Sequence, residues 1–143
     1  MVISKEESLL NVARPAFTKG QPVFRFIGSN GKIIGMVENL PELVTILPQV
    51  HPVILHHHMT KEATHGIFEY QKEGRATDIL GIPIPISDLP MWILYVLGDT
   101  DLAETLIHLV QTIDDSAILK NKVTEACRDR EKFLLTQIAK TNQ

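Results

Sequence analysis

Hydrophobic residues in the first third of the chain fall in short runs whose spacing is typical of β-strands. One run is VFRFI at residues 23–27, and another is IIGMV at residues 33–37. The Asn30-Gly31 pair between them favours a tight type I′ turn, because both residues tolerate the positive φ that this turn requires. The pattern predicts a β-hairpin that pairs residues 23–28 with residues 32–38.

The next segments mix helical and extended signals. A short helix is expected after the hairpin, because Asn39 can cap it, Pro41 suits its first turn and Pro48 ends it. The run PVILHHH at residues 52–58 predicts a third strand. Residues 73–89 contain IPIPI, in which prolines cannot donate to a β-ladder, so an edge strand or an ordered loop is expected there.

Helical spacing takes over in the last third of the chain. One helix is predicted to begin at Ser87 or Asp88 and to stop at Gly98. The next is predicted to begin within residues 99–101, where Asp101 and Glu104 fit a capping box. A last helix is predicted over residues 116–142. It packs either on its own domain or against a second chain.

This order of strands followed by helices predicts an α+β fold, in which C-terminal helices pack on a small antiparallel sheet built from the hairpin plus one or two strands. We expect a single domain over residues 1–143, with residues 1–20 as a loosely packed N-terminal segment. The 143 residues and the hydrophobic fraction of 44% suit one domain with a real core.

Charge and cysteine content narrow the expected setting. The net charge of −3 shows no basic excess, so nucleic-acid binding is not expected. Cys127 is the sole cysteine and cannot form an intrachain disulfide. The first ten residues lack a signal-peptide pattern, and the longest apolar run, at residues 91–97, is far shorter than the roughly 20 residues of a membrane span. We therefore expect a cytoplasmic protein that does not bind membranes.

Four stretches form a frame over about residues 23–106: VFRF, ENLPELVTIL, a histidine at His56 or His57, and MWILYVLGDTDLAETL. This frame resembles an uncharacterised prokaryotic family of small domains, many of them archaeal, that has no assigned function. The path from His65 to Trp92 is longer than in family members, with GRATDILGIPIPIS as an apparent insertion. The resemblance implies no reaction.

Four of the six histidines lie in VILHHHMTKEATHGIF, at residues 53–68. On a strand, His56 and His58 would share one face, and His65 would have to fold back to join them as a third metal ligand. Zn, Ni or Cu would suit such imidazole ligands, with Glu62 or Glu69 as a fourth. The alternatives are a solvated edge and a pH-sensitive contact.

Trp92 and Tyr95 lie three residues apart on a predicted helix and therefore share one side. They belong either to the core or to a partner surface, where these residue types are enriched. The carboxylates at residues 99–104 and the lone Cys127 are explained by a helix start and by core packing.

The leading hypothesis from these patterns is a cytoplasmic interaction or regulatory module without a cofactor or catalysis of its own. Its partner is another protein or a second copy of the chain, bound through the C-terminal helices or the open sheet edge. The alternative is a metal-dependent protein, such as a hydrolase, that uses His56, His58 and His65.

Overall fold

The computed structural model describes residues 12–28, 30–60, 76–77, 83–84 and 88–141. A 3₁₀ turn, Leu47–Gln49, follows the second helix, and a π-helical turn, Ile93–Leu97, follows the fourth. The elements in chain order are helical residues 12–17 (α1), Phe24–Ile27 (β1), Ile33–Val37 (β2), Leu40–Ile46 (α2), Pro52–Thr60 (α3), Ala76–Thr77 (β3), Pro83–Ile84 (β4), Asp88–Trp92 (α4), Thr100–Thr112 (α5) and Ser116–Thr141 (α6). This architecture confirms the predicted α+β class, with a small antiparallel sheet packed by C-terminal helices.

β1 and β2 form the predicted hairpin, but its turn is not type I′. Of the two turn residues, only Gly31 takes a positive φ, at 79°. The Gly31 amide donates to the Gly28 carbonyl at 2.9 Å, and the Gly28 amide donates to the Lys32 carbonyl at 2.8 Å. These bonds form a longer loop that a left-handed glycine completes.

α2 begins as its sequence predicts. The Asn39 side-chain oxygen accepts a hydrogen bond from the Glu42 amide at 3.0 Å, and Glu42 Oε1 accepts one from the Glu38 amide at 3.1 Å. Since the cap and its reciprocal partner lie within five residues, this helix start is a local property of the chain.

The third strand predicted over residues 52–58 is wrong, because Pro52–Thr60 is the helix α3. His51 caps it, since its Nδ1 accepts a hydrogen bond from the Val53 amide at 3.1 Å and its carbonyl accepts one from the Leu55 amide at 3.0 Å. The buried residues Leu55, His58 and Met59 are three and four positions apart, the spacing of one helical face. α3 packs against β1, α4, α5 and α6.

Left-handed Gly98, with φ of 70°, ends the π-helical turn after α4 as predicted. The next helix is capped by Asp99 rather than by Asp101, because Asp99 Oδ1 accepts a hydrogen bond from the Leu102 amide at 3.1 Å. The helix cap therefore lies two residues before Asp101, the residue that the predicted capping box used as its cap.

α6 packs on its own domain, against α2, α3 and α5. Its buried apolar side chains are Leu119, Val123, Cys127 and Leu134. Residues 12–17, part of the segment predicted to pack loosely, are helical and place Ala13 and Ala16 fully inside the core. The rest of the core is formed mainly by the hairpin, α2, α3, α4 and α5. Within the region predicted as an edge strand or ordered loop, β3 pairs antiparallel with β4.

Candidate functional site

His58, on α3, contacts the buried face of the hairpin through a hydrogen bond and aromatic packing. It is 1% exposed, and its Nε2 accepts a hydrogen bond from the Ile27 amide at 3.0 Å. The imidazole ring meets Phe24 and Phe26 edge-on, with centroid distances of 5.3 Å and 5.5 Å. His58 therefore acts as an acceptor and a packing surface inside the core.

The prediction that His56 and His58 share one face is wrong, because it assumed a β-strand and these residues lie on the helix α3. Residues two positions apart on a helix point about 200° apart. Accordingly, His56 Nδ1 lies 2.7 Å from Ser116 Oγ at the start of α6, whereas His58 points to β1. His65 lies outside the described residues, as do the candidate fourth ligands Glu62 and Glu69.

Within the described ranges, no group of three or more His, Cys, Asp or Glu side chains is placed to hold a metal ion. His58 Nε2 accepts a hydrogen bond from the Ile27 amide. This nitrogen is therefore occupied by the backbone and is not free to bind a metal. The metal centre predicted at His56, His58 and His65 stays a prediction, because His65 lies outside the described residues.

A pocket of about 420 Å³ opens between the hairpin turn and α3. Exposed His57 and buried His58 lie on one side of it, and the other walls are mostly apolar. Its lining residues are Ile27, Gly28, Gly31, Val53, Ile54, His57 and His58. The histidine-rich stretch thus contributes one accessible imidazole to a mainly hydrophobic recess.

Trp92 lies in the core rather than on a partner surface, which corrects one of the two residues predicted for partner binding. It has no exposed area, its ring packs 6.0 Å from that of Phe24, and its indole N–H donates to the Pro22 carbonyl at 2.8 Å. Tyr95 is partly buried and packs against the core cluster. A role for Tyr95 in partner binding stays a prediction.

The outer surface of the hairpin carries three large apolar side chains in contact with solvent. Ile33, Ile34 and Met36 are 53%, 48% and 56% exposed, and we call them the β2 patch. The pairing passes from Phe26 opposite Gly35 to Ile27 opposite Ile33, so Ile34 is an extra residue in β2. This bulge breaks strict alternation and leaves two consecutive isoleucines exposed.

A shallow groove of about 330 Å³ separates β2 from α2. Its lining residues are Met36, Val37, Pro41, Glu42, Thr45 and Ile46. The helix approaches the strand closely, because a Cβ added to Gly35 would overlap Cδ1 of Ile46. In the described part of the chain, β2 pairs only with β1, so the groove lies beside an edge strand.

A buried ion pair joins the start of α5 to the middle of α6, and the sequence patterns did not predict it. Arg130 Nε donates to Asp99 Oδ2 at 2.8 Å, and Arg130 Nη2 donates to Asp99 Oδ1 at 2.9 Å. The Asp99 and Arg130 side chains are 2% and 16% exposed. The only sequence signal was that Asp99 precedes a helix, which explains its cap but not its partner 31 positions away.

Cys127 lies one turn before Arg130 and is fully buried. Burial, with a smaller contribution from the negative charge of Asp99, raises the pKa of its thiol to about 12. The predicted role as a core thiol therefore fits its surroundings, since a neutral, inaccessible thiol is a poor nucleophile.

Comparison of the chain with family models, with curated proteins and with solved structures finds no match. The resemblance to a prokaryotic domain family therefore stays a prediction. No helix in the described ranges is both long and apolar enough to cross a bilayer.

Proposed function

We propose that the protein is a small cytoplasmic interaction module that binds a protein partner through the β2 patch and the adjoining strand edge. The observation that supports this function is the exposure of Ile33, Ile34 and Met36, side by side on one strand. Contiguous exposed apolar surface on a folded domain is typical of an interaction site.

The surroundings of β2 suit a partner in extended conformation. An added strand would form backbone hydrogen bonds with the edge of β2, and these give affinity with little dependence on sequence. Its alternate side chains would contact the groove lined by Pro41, Thr45 and Ile46, which would supply specificity. A regulatory role would follow if the partner's own activity responds to this contact.

Contacts to the core hold the hairpin in place, so that β2 can serve as a docking strand. A two-stranded hairpin alone is marginally stable in water. Here His58 accepts a hydrogen bond from the Ile27 amide at the end of β1, and the Trp92 indole donates to the carbonyl of Pro22, just before β1 begins. Neither contact involves the exposed side chains of β2. The cytoplasmic setting is supported by the single cysteine, a buried thiol that needs no oxidising compartment.

A phage-displayed library of linear peptides, selected on sparsely immobilised protein, tests the docking surface. We expect selected peptides to share alternating apolar positions and to lose binding to the Met36→Glu variant. Ile118→Glu is the matched control, because Ile118 is 52% exposed on α6, far from β2 along the chain, and Met36 is 56% exposed.

Unfolding curves of both variants should match that of the wild type, since both side chains are largely exposed. Peptides that bind the Met36→Glu variant as well as the wild type, or a library that yields no binder, would overturn the proposed function.

A further inference from the structure

We infer that the partner of the β2 patch is an extended peptide segment with a lysine or arginine two residues from an apolar position, and that this basic side chain binds Glu42. This inference rests on the proposed function and specifies the chemistry of the partner. Three features of the groove between β2 and α2 support it: its single ionisable side chain, the absence of a cation paired with that side chain, and the place of Met36 in its wall.

Glu42 is the one ionisable residue among those that line the groove, where the other side chains are apolar except for Thr45. Glu42 is half-buried, and its Oε1 accepts a hydrogen bond from the Glu38 amide at 3.1 Å. A carboxylate has about four acceptor sites on its two oxygens. Glu42 therefore keeps acceptor capacity for a donor that enters the groove.

The carboxylates at this end of β2 have no paired cation in the described part of the chain. Every ion pair there involves α6, so neither Glu38 nor Glu42 takes part in one. Glu38 accepts a hydrogen bond from the neutral Gly20 amide at 3.2 Å. The net charge of the chain is also negative, at −3. A cationic side chain in the groove would thus gain a charge-assisted hydrogen bond without displacing an existing partner.

Arg25 is the cationic residue across the hairpin from Met36, with which it pairs. It belongs to β1, and no residue of β1 lines the groove. A segment that occupies the groove therefore contacts Glu42 and not Arg25.

Met36 fixes the spacing between the apolar and the basic position of the partner. It belongs to the β2 patch and also lines the groove with Glu42. Alternate residues of a strand share a face and lie roughly 7 Å apart. An apolar side chain against Met36 and a basic side chain at Glu42 are therefore expected two residues apart in the bound segment.

Glu42→Gln tests the charge without removing the capping contact, because glutamine in this position of a capping box can still accept the Glu38 amide. The probes are the library peptides that lose binding to Met36→Glu, and fluorescence anisotropy measures their affinity for the full chain. We expect these peptides to share the basic position and to bind Glu42→Gln about three- to fivefold more weakly than the wild type.

Glu104→Gln is the matched control, since it makes the same change of charge at an exposed residue of α5. Its affinity for the peptides should equal that of the wild type, and the urea unfolding curves of both variants should stay close to the wild-type curve. An equal loss of affinity in Glu104→Gln would show attraction to the overall charge and would overturn the contact with Glu42.

A double-mutant cycle locates the contact. Replacing the basic residue of the peptide by glutamine should weaken binding to the wild type by the same factor and leave binding to Glu42→Gln unchanged. The difference between wild type and Glu42→Gln should also shrink at about 1 M salt, where charges are screened within about 3 Å. Independent, additive effects of the two changes would overturn the inference.

The two proposals fail in different ways. Peptides that bind through Met36 but lack a basic residue, or that bind Glu42→Gln as tightly as the wild type, would overturn the inference and leave the docking surface intact. A library without any binder that depends on Met36 would overturn both.

Discussion

Removing either member of the Asp99–Arg130 pair should destabilise the fold much more than breaking a surface ion pair. The two side chains form a bidentate pair that is 2% and 16% exposed. Loss of one partner from such a pair leaves a poorly solvated charge, at a cost of about 3–5 kcal/mol in the free energy of unfolding. The Asp99 cap on α5 adds about 1 kcal/mol.

The variants separate these contributions. We expect Asp99→Ala to lose about 3–5 kcal/mol, and Asp99→Asn to lose about 1 kcal/mol less than that, because an amide oxygen can still cap Leu102. Arg130→Met leaves Asp99 charged in the core. The double variant Asp99→Asn/Arg130→Met contains neither charge, so its loss should be smaller than the sum of the single losses by about 2 kcal/mol.

Urea unfolding followed by far-UV circular dichroism measures these free energies. The matched control on the same helix is Lys122–Glu125, a pair at 3.9 Å whose side chains are 53% and 61% exposed. Glu125→Gln should cost under about 1 kcal/mol. Strictly additive losses for Asp99→Asn and Arg130→Met, or losses no larger than that of the control, would refute the assignment of a coupled buried pair.

Two further predictions concern buried groups. His58→Phe should lower the free energy of unfolding by about 1–3 kcal/mol, because the Ile27 amide loses its acceptor. His57→Gln, at the exposed neighbour, should change it by under about 0.5 kcal/mol, and equal effects in urea unfolding would contradict the role of His58. Cys127 has its pKa raised from 9.0 to about 12 in the fold, so its neutral thiol stabilises the folded state fully below about pH 9 and progressively less as pH rises toward 12. A Cys127→Ala variant should show a smaller fall in stability over that window, and an identical fall would contradict it.

The sequence predicted the parts of the fold that depend on neighbouring residues. Asn39 and Gly98 set helix ends through caps within a few positions, and both ends are where the pattern placed them. The error at residues 52–58 arose because Val53 and Ile54 favour strands in a run too short to show its period. When Met59 is included, Leu55, His58 and Met59 show helical spacing. Tertiary packing of this face against the core then favours the helix.

The candidate site was less predictable, because its contacts join distant parts of the chain. His58 accepts a hydrogen bond from the amide of Ile27, which is 31 residues away, and Arg130 donates to the carboxylate of Asp99 at the same separation. No local pattern identifies such partners. Exposure of the β2 patch also escaped prediction, since a bulge at Ile34 decides which side chains leave the core, and IIGMV alone shows no bulge.

The anchoring of the hairpin explains why its second strand is the one available to a partner. His58 binds the backbone of β1, Phe24 and Phe26 are buried beside it, and Trp92 holds the chain just before that strand. β2 is thus held in place by its pairing with β1, while its own outer side chains remain exposed to solvent. A strand fixed in this way loses little conformational freedom on binding, so more of the free energy from covering the β2 patch remains for affinity.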